Sequence, residues 1–308
     1  MKNFLLTIII IGLALFTVHA QDEAIFVDYL ISPILVNPAA AGFSENYQIQ
    51  FNARAQWTGF EDSPKTYAVR YNGPLGRTFG IGIGVFSETA AQLSRTKLHL
   101  DYAFRYTVKD DWKLSFGFFT EFQSLKVDGD ITSSPFYDLS DQLLEDLLNG
   151  KGEFDAAIGI RGTYRKNTFG GVTINNLVTS RLSNIAGINQ DENFFSYYTF
   201  NFGHRIFLPQ QKVTLEPSLM IRQIRNTPLQ VDLNLKAEFL NEQLIAGLTY
   251  RTLGAMSILL GTKLSNFKLY YSYDVSFQQF QKYSTGAHEI TIALDIEKKS
   301  KKEREQKQ

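Results

Sequence analysis

The chain of 308 residues contains no cysteine, which removes structural disulfides, thiolate metal sites and cysteine nucleophiles at once. It has no charge bias either. Its 31 Lys and Arg balance 31 Asp and Glu, which argues against nucleic acid as a main partner. Beyond the first twenty residues no apolar run is long enough for a spanning helix. Histidine is sparse: only His99, His204 and His288 follow residue 20, and no two sit at helical or hairpin spacing to hold a metal. No G-x-S-x-G elbow occurs, so a hydrolase has no assignable nucleophile. These gaps point to a non-enzyme with no cofactor and no metal site.

What is present leans towards β structure, with 25 Phe, 15 Tyr and 22 Gly. The first residues are a separate signal. Lys2 precedes the apolar run Phe4 to Val18, and Val18-His19-Ala20 places small residues at the −3 and −1 positions. Residues 1–20 therefore read as a secretory signal cleaved near Ala20. With no cysteine after the cut, the exported chain is not a lipoprotein.

From Tyr47 the pattern has period two. Ile49, Phe51 and Ala53 alternate with Gln50, Asn52 and Arg54, and the same alternation returns at Leu98 to Tyr106, Leu229 to Leu235 and Phe267 to Val275. The alternating segments run about 9 to 12 residues, the length that crosses a bilayer at a tilt, whereas ordinary strands average about 5 to 6. Counting them predicts an all-β, antiparallel transmembrane barrel of about 14 strands over residues 47–296, with 12 or 16 inside the counting error. Long connections at Gly59–Ser63, Ser87–Ser94, Asp128–Gly152, Leu177–Asn193 and Gln278–Thr285 alternate with tight links such as Lys109–Asp111 and Ser265–Asn266. That asymmetry predicts short periplasmic turns and longer extracellular loops. Trp57, Tyr71, Phe79, Trp112 and Phe267 lie near strand ends, where rings prefer the headgroup level. Outer-membrane lipid is the implied surrounding.

Residues 21–46 carry Pro33, Pro38 and Ala39-Ala40-Ala41-Gly42, and read as a turn-rich lead-in on the periplasmic side or as a short insertion into the lumen. Residues 297–308 form a charged tail expected to be solvated. In Gly80-Ile81-Gly82-Ile83-Gly84 the glycines fall on the inward face of a strand and make room in the lumen. Arg54, His99, Arg105, Arg161, Arg165, Lys236 and Glu238 are expected to fill that lumen. Leu143, Leu144, Leu147 and Leu148 have helical spacing within the longest loop. They read either as a helix packed over the barrel mouth or as a partner-docking helix.

Several blocks match a known pattern in order and spacing. They are Asn37-Pro38-Ala39-Ala40-Ala41-Gly42, Arg54-Ala55-Gln56-Trp57-Thr58-Gly59, Ser63-Pro64-Lys65-Thr66, Pro228 to Asn234, Gly247 to Arg251, Tyr273-Asp274 and Ser284 to Ile290. Together they resemble the PorP/SprF family of outer-membrane proteins from Bacteroidetes. The chain departs from that family at Ala40, where an aromatic is usual, and in its basic tail. The resemblance implies an outer-membrane barrel that works with type IX secretion and gliding components and helps export or hold a large secreted surface protein. The positions it singles out are Asn37, Pro38, Gly42, Arg54, Trp57, Gly59, Pro64, Asp232, Tyr250, Arg251, Asp274, Gly286, His288 and Glu289. A diffusion porin or small-solute channel is the alternative reading.

Overall fold

The computed structural model describes residues 27–44, 46–108, 111–128, 132, 142–178, 197–224, 227–252, 254–277 and 284–296. The expected signal, the charged tail, the side chain of Leu143 and most of the 177–193 connection lie outside the described residues.

Three short 3-10 turns (Val27–Leu30, Pro33–Leu35, Pro38–Ala40) precede the strands β1 (Tyr47–Ala55), β2 (Lys65–Leu75), β3 (Phe79–Ala90), β4 (Leu93–Val108) and β5 (Trp112–Val127). Helix α1 (Gln142–Asn149) follows, then β6 (Lys151–Tyr164), β7 (Thr168–Ile174), β8 (Tyr197–His204), β9 (Ile206–Leu208) and β10 (Val213–Ile224). The wall ends with β11 (Gln230–Phe239), β12 (Leu244–Arg251), β13 (Ala255–Leu264), β14 (Phe267–Ser276) and β15 (Ala287–Ile296). Neighbours pair antiparallel around the ring, and β15 pairs with β1 from Tyr47↔Ile296 to Ala55↔His288, so the sheet closes. β8 and β9 are two pieces of one barrel strand, because both face β10 in a single continuous register. The break falls where Pro217 comes opposite His204, since proline offers no N–H to the ladder. The result is a closed barrel of 14 strands.

Burial inverts the rule for soluble proteins. In β11 the buried set is Gln230, Asp232, Asn234, Lys236 and Glu238, while Leu233 and Leu235 are 52% and 46% exposed. A soluble sandwich would bury the leucines; a membrane barrel turns them to lipid. The described residues contain no helix long and apolar enough to cross a membrane.

The connections are short at one end: Gly76–Thr78, Arg165–Asn167, Pro209–Lys212, Leu240–Gln243 and Ser265–Asn266. This end takes the periplasmic assignment. Two expectations are corrected. Ser87–Ser94 is no long loop, because β3 and β4 stay paired out to Ala90↔Leu93 and only Ala91 and Gln92 turn, Ala91 with φ 51°. Beyond the lipid both faces of a strand are polar, so Ser87, Glu88, Arg95 and Thr96 lack the alternation that marks a strand. Arg165 is not a lumen residue. It sits in the β6–β7 turn with φ 49°, and its exposed side chain pairs with Asp111 at 3.2 Å.

The opposite faces of β4 supply a test. Leu100→Arg places a guanidinium on the lipid face near mid-membrane and should cost about 2–4 kcal/mol of folding stability in lipid vesicles. Asp101→Asn, one residue on and inside the barrel, should cost much less. Urea titration followed by heat-modifiable gel migration measures both; a larger loss for Asp101→Asn would mean the faces are reversed.

Candidate functional site

The lumen is occupied by the chain's own lead-in. Asp28, Tyr29, Leu30, Ser32, Ile34, Asn37 and Ala39 to Ala41 are all buried inside the barrel. Pro33 and Pro38 stand at the first positions of their 3-10 turns, where a missing N–H costs nothing. Asn37 caps the second of these, its Oδ1 accepting from Ala39 N–H at 2.9 Å, while its Nδ2 donates to the Ile160 carbonyl at 3.0 Å. Further ties run to distant strands. Thr173 Oγ1 donates to Val36 O at 2.9 Å, Gly42 N–H donates to Asn72 Oδ1 at 2.7 Å, and Arg105 donates to Gly42 O. Lys113 lies over the Phe43 ring, 4.5 Å from its centroid.

The wall makes room for this plug. Gly80, Ala103, Gly117 and Gly159 stand directly opposite one another across β3, β4, β5 and β6, and Thr173 of β7 continues the row. A Cβ on Gly80 would come within 3.0 Å of the Ala41 backbone, one on Gly117 within 3.0 Å of Pro38 and Ala39, and one on Gly159 within 3.0 Å of Asn37 Oδ1. No real Cβ sits so close, so these inward positions accept only hydrogen. Gly42 is doubly constrained, by φ 58° and by Gly73 and Gly80 beside it. Ile34, Ala40 and Ala41 pack on Ala103 as a small apolar core.

Most residues singled out in the sequence converge on this plug or on the barrel seam. Arg54 of β1 pairs with Asp274 at 2.6 Å and Glu289 at 2.9 Å, all three buried. Beside them Asn52 Nδ2 donates to Asp28 Oδ2 at 2.9 Å. Asp232 pairs with Arg251 at 3.3 Å and accepts from the Tyr29 hydroxyl at 3.0 Å, so a second charged cluster grips the same plug. Trp57, Gly59 and Pro64 lie in the β1–β2 connection, which is joined to the β14–β15 connection by Thr58 N–H to Gly286 O at 3.0 Å and Thr285 N–H to Thr58 O at 2.7 Å. Tyr250 and His288 sit apart from the lumen clusters: Tyr250 is exposed, and the His288 ring lies tilted, 4.9 Å from the Tyr273 ring on the outer wall.

At the periplasmic end Lys236 pairs with Glu216 at 3.1 Å and Glu238 at 3.3 Å, and Arg205 reaches Glu238 at 2.5 Å. In the adjoining turn a hydrogen bond from Lys263 at 2.9 Å holds the Glu242 carboxyl below the usual carboxylate range. At the other end α1 rests on β5 and β6, with Leu144, Leu147 and Leu148 half-buried and Glu145 and Asp146 exposed. These leucines are therefore already partly covered. Among the described residues no group of three His, Cys, Asp or Glu is arranged to hold a metal.

Sequence reading missed Asp28, Tyr29 and the glycine row. The first two precede every periodic segment. The row's members are far apart in sequence and meet only through the strand register; its traces in the sequence are the inward-facing Gly80 and the small-residue run Ala39-Ala40-Ala41-Gly42, which a close approach requires.

Residues 18–294 match the family model described as type IX secretion system membrane protein PorP/SprF. No curated protein matches the chain. Among solved structures, the toluene transporter TodX of P. putida aligns at 10% identity and a TM-score of 0.50, covering 86% of this chain and 94% of its own. Omp33 of Acinetobacter baumannii aligns at 6% identity and a TM-score of 0.47, covering 83% and 100%. At such identities the likeness is one of fold alone.

The plug can be dislodged by design. Gly117→Val combined with Asn37→Ala drives a side chain into Pro38 and Ala39 and removes the bonds to Ile160 and Ala39. Liposomes carrying this variant should swell several-fold faster in small sugars than liposomes carrying the native barrel. Equal rates would show that the lead-in does not block the lumen.

Proposed function

Because the chain belongs to the PorP/SprF family of type IX secretion system membrane proteins, we propose that this outer-membrane barrel helps export or anchor a large secreted surface protein and that it performs no catalysis. The observation that supports this over a diffusion channel is the filled lumen. Asp28 to Phe43 spans the interior and is tied to β1, β2, β4, β5, β6, β7 and β11 by side-chain bonds. A porin needs an aqueous path, whereas a docking platform needs a rigid wall and an ordered outer rim.

That rim is provided by the paired β3–β4 hairpin and by α1 seated on β5 and β6. We assign partner contact to this cell-surface end, with the Leu143 to Leu148 helix as part of the contact surface. At the periplasmic end the accessible charges Arg205, Glu242 and Lys263, backed by the buried Glu216 and Glu238, are the surface offered to other secretion components.

Deleting the gene should remove one large protein from the cell exterior while leaving uptake of small solutes unchanged. Surface proteomics beside liposome swelling with the purified barrel measures both. Rapid solute flux with an intact surface proteome would instead make the protein a channel. Leu144→Asp with Leu147→Asp should unseat α1, leave the barrel inserted and heat-modifiable, and reduce retention of the surface partner several-fold. Unchanged retention would remove α1 from the contact surface.

A further inference from the structure

A chamber of about 110 Å³ remains between the plug and the cell-surface end. Its floor is Ile34 to Pro38, and its walls carry Arg70, Asp101 and Thr66, with Arg222 among the other wall residues. Three of these side chains are buried and incomplete. Arg70, 4% exposed, has no partner at Nε or Nη1; Thr66 has none at Oγ1; Asp101, 1% exposed, has none at Oδ2. Arg70 and Asp101 do not form an ion pair with each other. Elsewhere in the lumen Arg54, Arg251 and Lys236 reach carboxylates, while Arg161, also unpartnered at Nε and Nη1, lies against the Phe43 and Phe169 rings and does not line this chamber.

An orphaned buried guanidinium is costly, and so is an orphaned buried carboxylate. Here both open into one cavity, and the Phe86 ring 5.0 Å from the Arg70 guanidinium restrains its swing. We infer that this chamber is a binding site for a ligand that carries a carboxylate with a hydrogen-bond donor close beside it. The carboxylate takes charge-assisted bonds from Arg70, with Arg222 adding positive potential, and the neighbouring O–H or N–H donates to Asp101. A free hydroxy acid and the C-terminal residue of a polypeptide share that chemistry. The inference does not depend on the role in secretion, because it rests on unpaired groups inside the barrel.

The test uses the purified native barrel in detergent and two probes, L-lactate and triglycine, each titrated calorimetrically against propionate, which has the carboxylate without the donor. Saturable binding of lactate or triglycine, with propionate at least tenfold weaker, is expected. Arg70→Met should abolish it. Arg70→Lys, which keeps the charge without the fork, should weaken it about tenfold. Asp101→Asn should remove the advantage over propionate. Heat-modifiable migration confirms that each variant is folded, and Arg70→Lys serves if Arg70→Met is not. Tighter binding of lactate assigns the site to a free small acid, tighter binding of triglycine to a chain terminus. No saturable binding up to about 10 mM of either probe, or equal affinity in native protein and both Arg70 variants, would leave ordered water as the sole occupant and overturn the inference.

Discussion

Nine residue pairs between β1 and β15 hold the ring shut, and every other property of the barrel presupposes that seam. In hydrocarbon an unpaired N–H or C=O costs several kcal/mol, so an open sheet of this length has no stable place there. Once the seam forms, the pleat does the sorting. Residues of one parity meet lipid and are apolar, while residues of the other meet the lumen and are mostly polar or small, with Met220, Ile245, Leu259 and Tyr270 packing on the plug. The seam is itself reinforced from inside, where Arg54 of β1 bridges Glu289 of β15 and Asp274 of β14.

A lumen walled by 14 strands has to hold something. Long charged side chains fill part of it by pairing across strands, and the rest is filled by backbone. The lead-in reaches the wall closely because one cross-strand row of the barrel carries glycine at three of its positions and only small side chains at Ala103 and Thr173. That trade has a chemical consequence: where side chains are absent, peptide groups of the plug and wall meet directly, and single polar residues such as Asn37 and Thr173 satisfy them. The charged clusters at Asp28 and Tyr29 then anchor the other end.

Much of this was legible in the sequence because the lipid enforces strict alternation. In β11, Leu233 and Leu235 against Asp232 and Asn234 announce strand, parity and orientation together. Legibility ended where lipid ended. Ser87 to Thr96 is paired strand, yet with water on both sides its residues carry no alternation, and it read as loop. Arg165 had lumen parity by counting but falls in a turn with positive φ. The plug was ambiguous because Asp28 and Tyr29 belong to no repeat, and their partners Asn52, Asp232 and Asn234 are named only by three-dimensional contact. The conspicuous family blocks, by contrast, fall on the plug, on the seam with its two linked connections, and on β11 and β12, where the Asp232–Arg251 pair meets Tyr29.

The position of the plug along the chain carries a consequence for chronology. It lies before β1, is bonded to strands from β1 to β11, and is enclosed by a ring whose closing pair unites the first strand with the last. A segment held that tightly is most simply installed while the ring is still a curved open sheet. The final zipping of β15 onto β1 then seals in a segment that precedes every strand of the wall. Assembly of the wall and filling of its interior are, on this geometry, a single event rather than two.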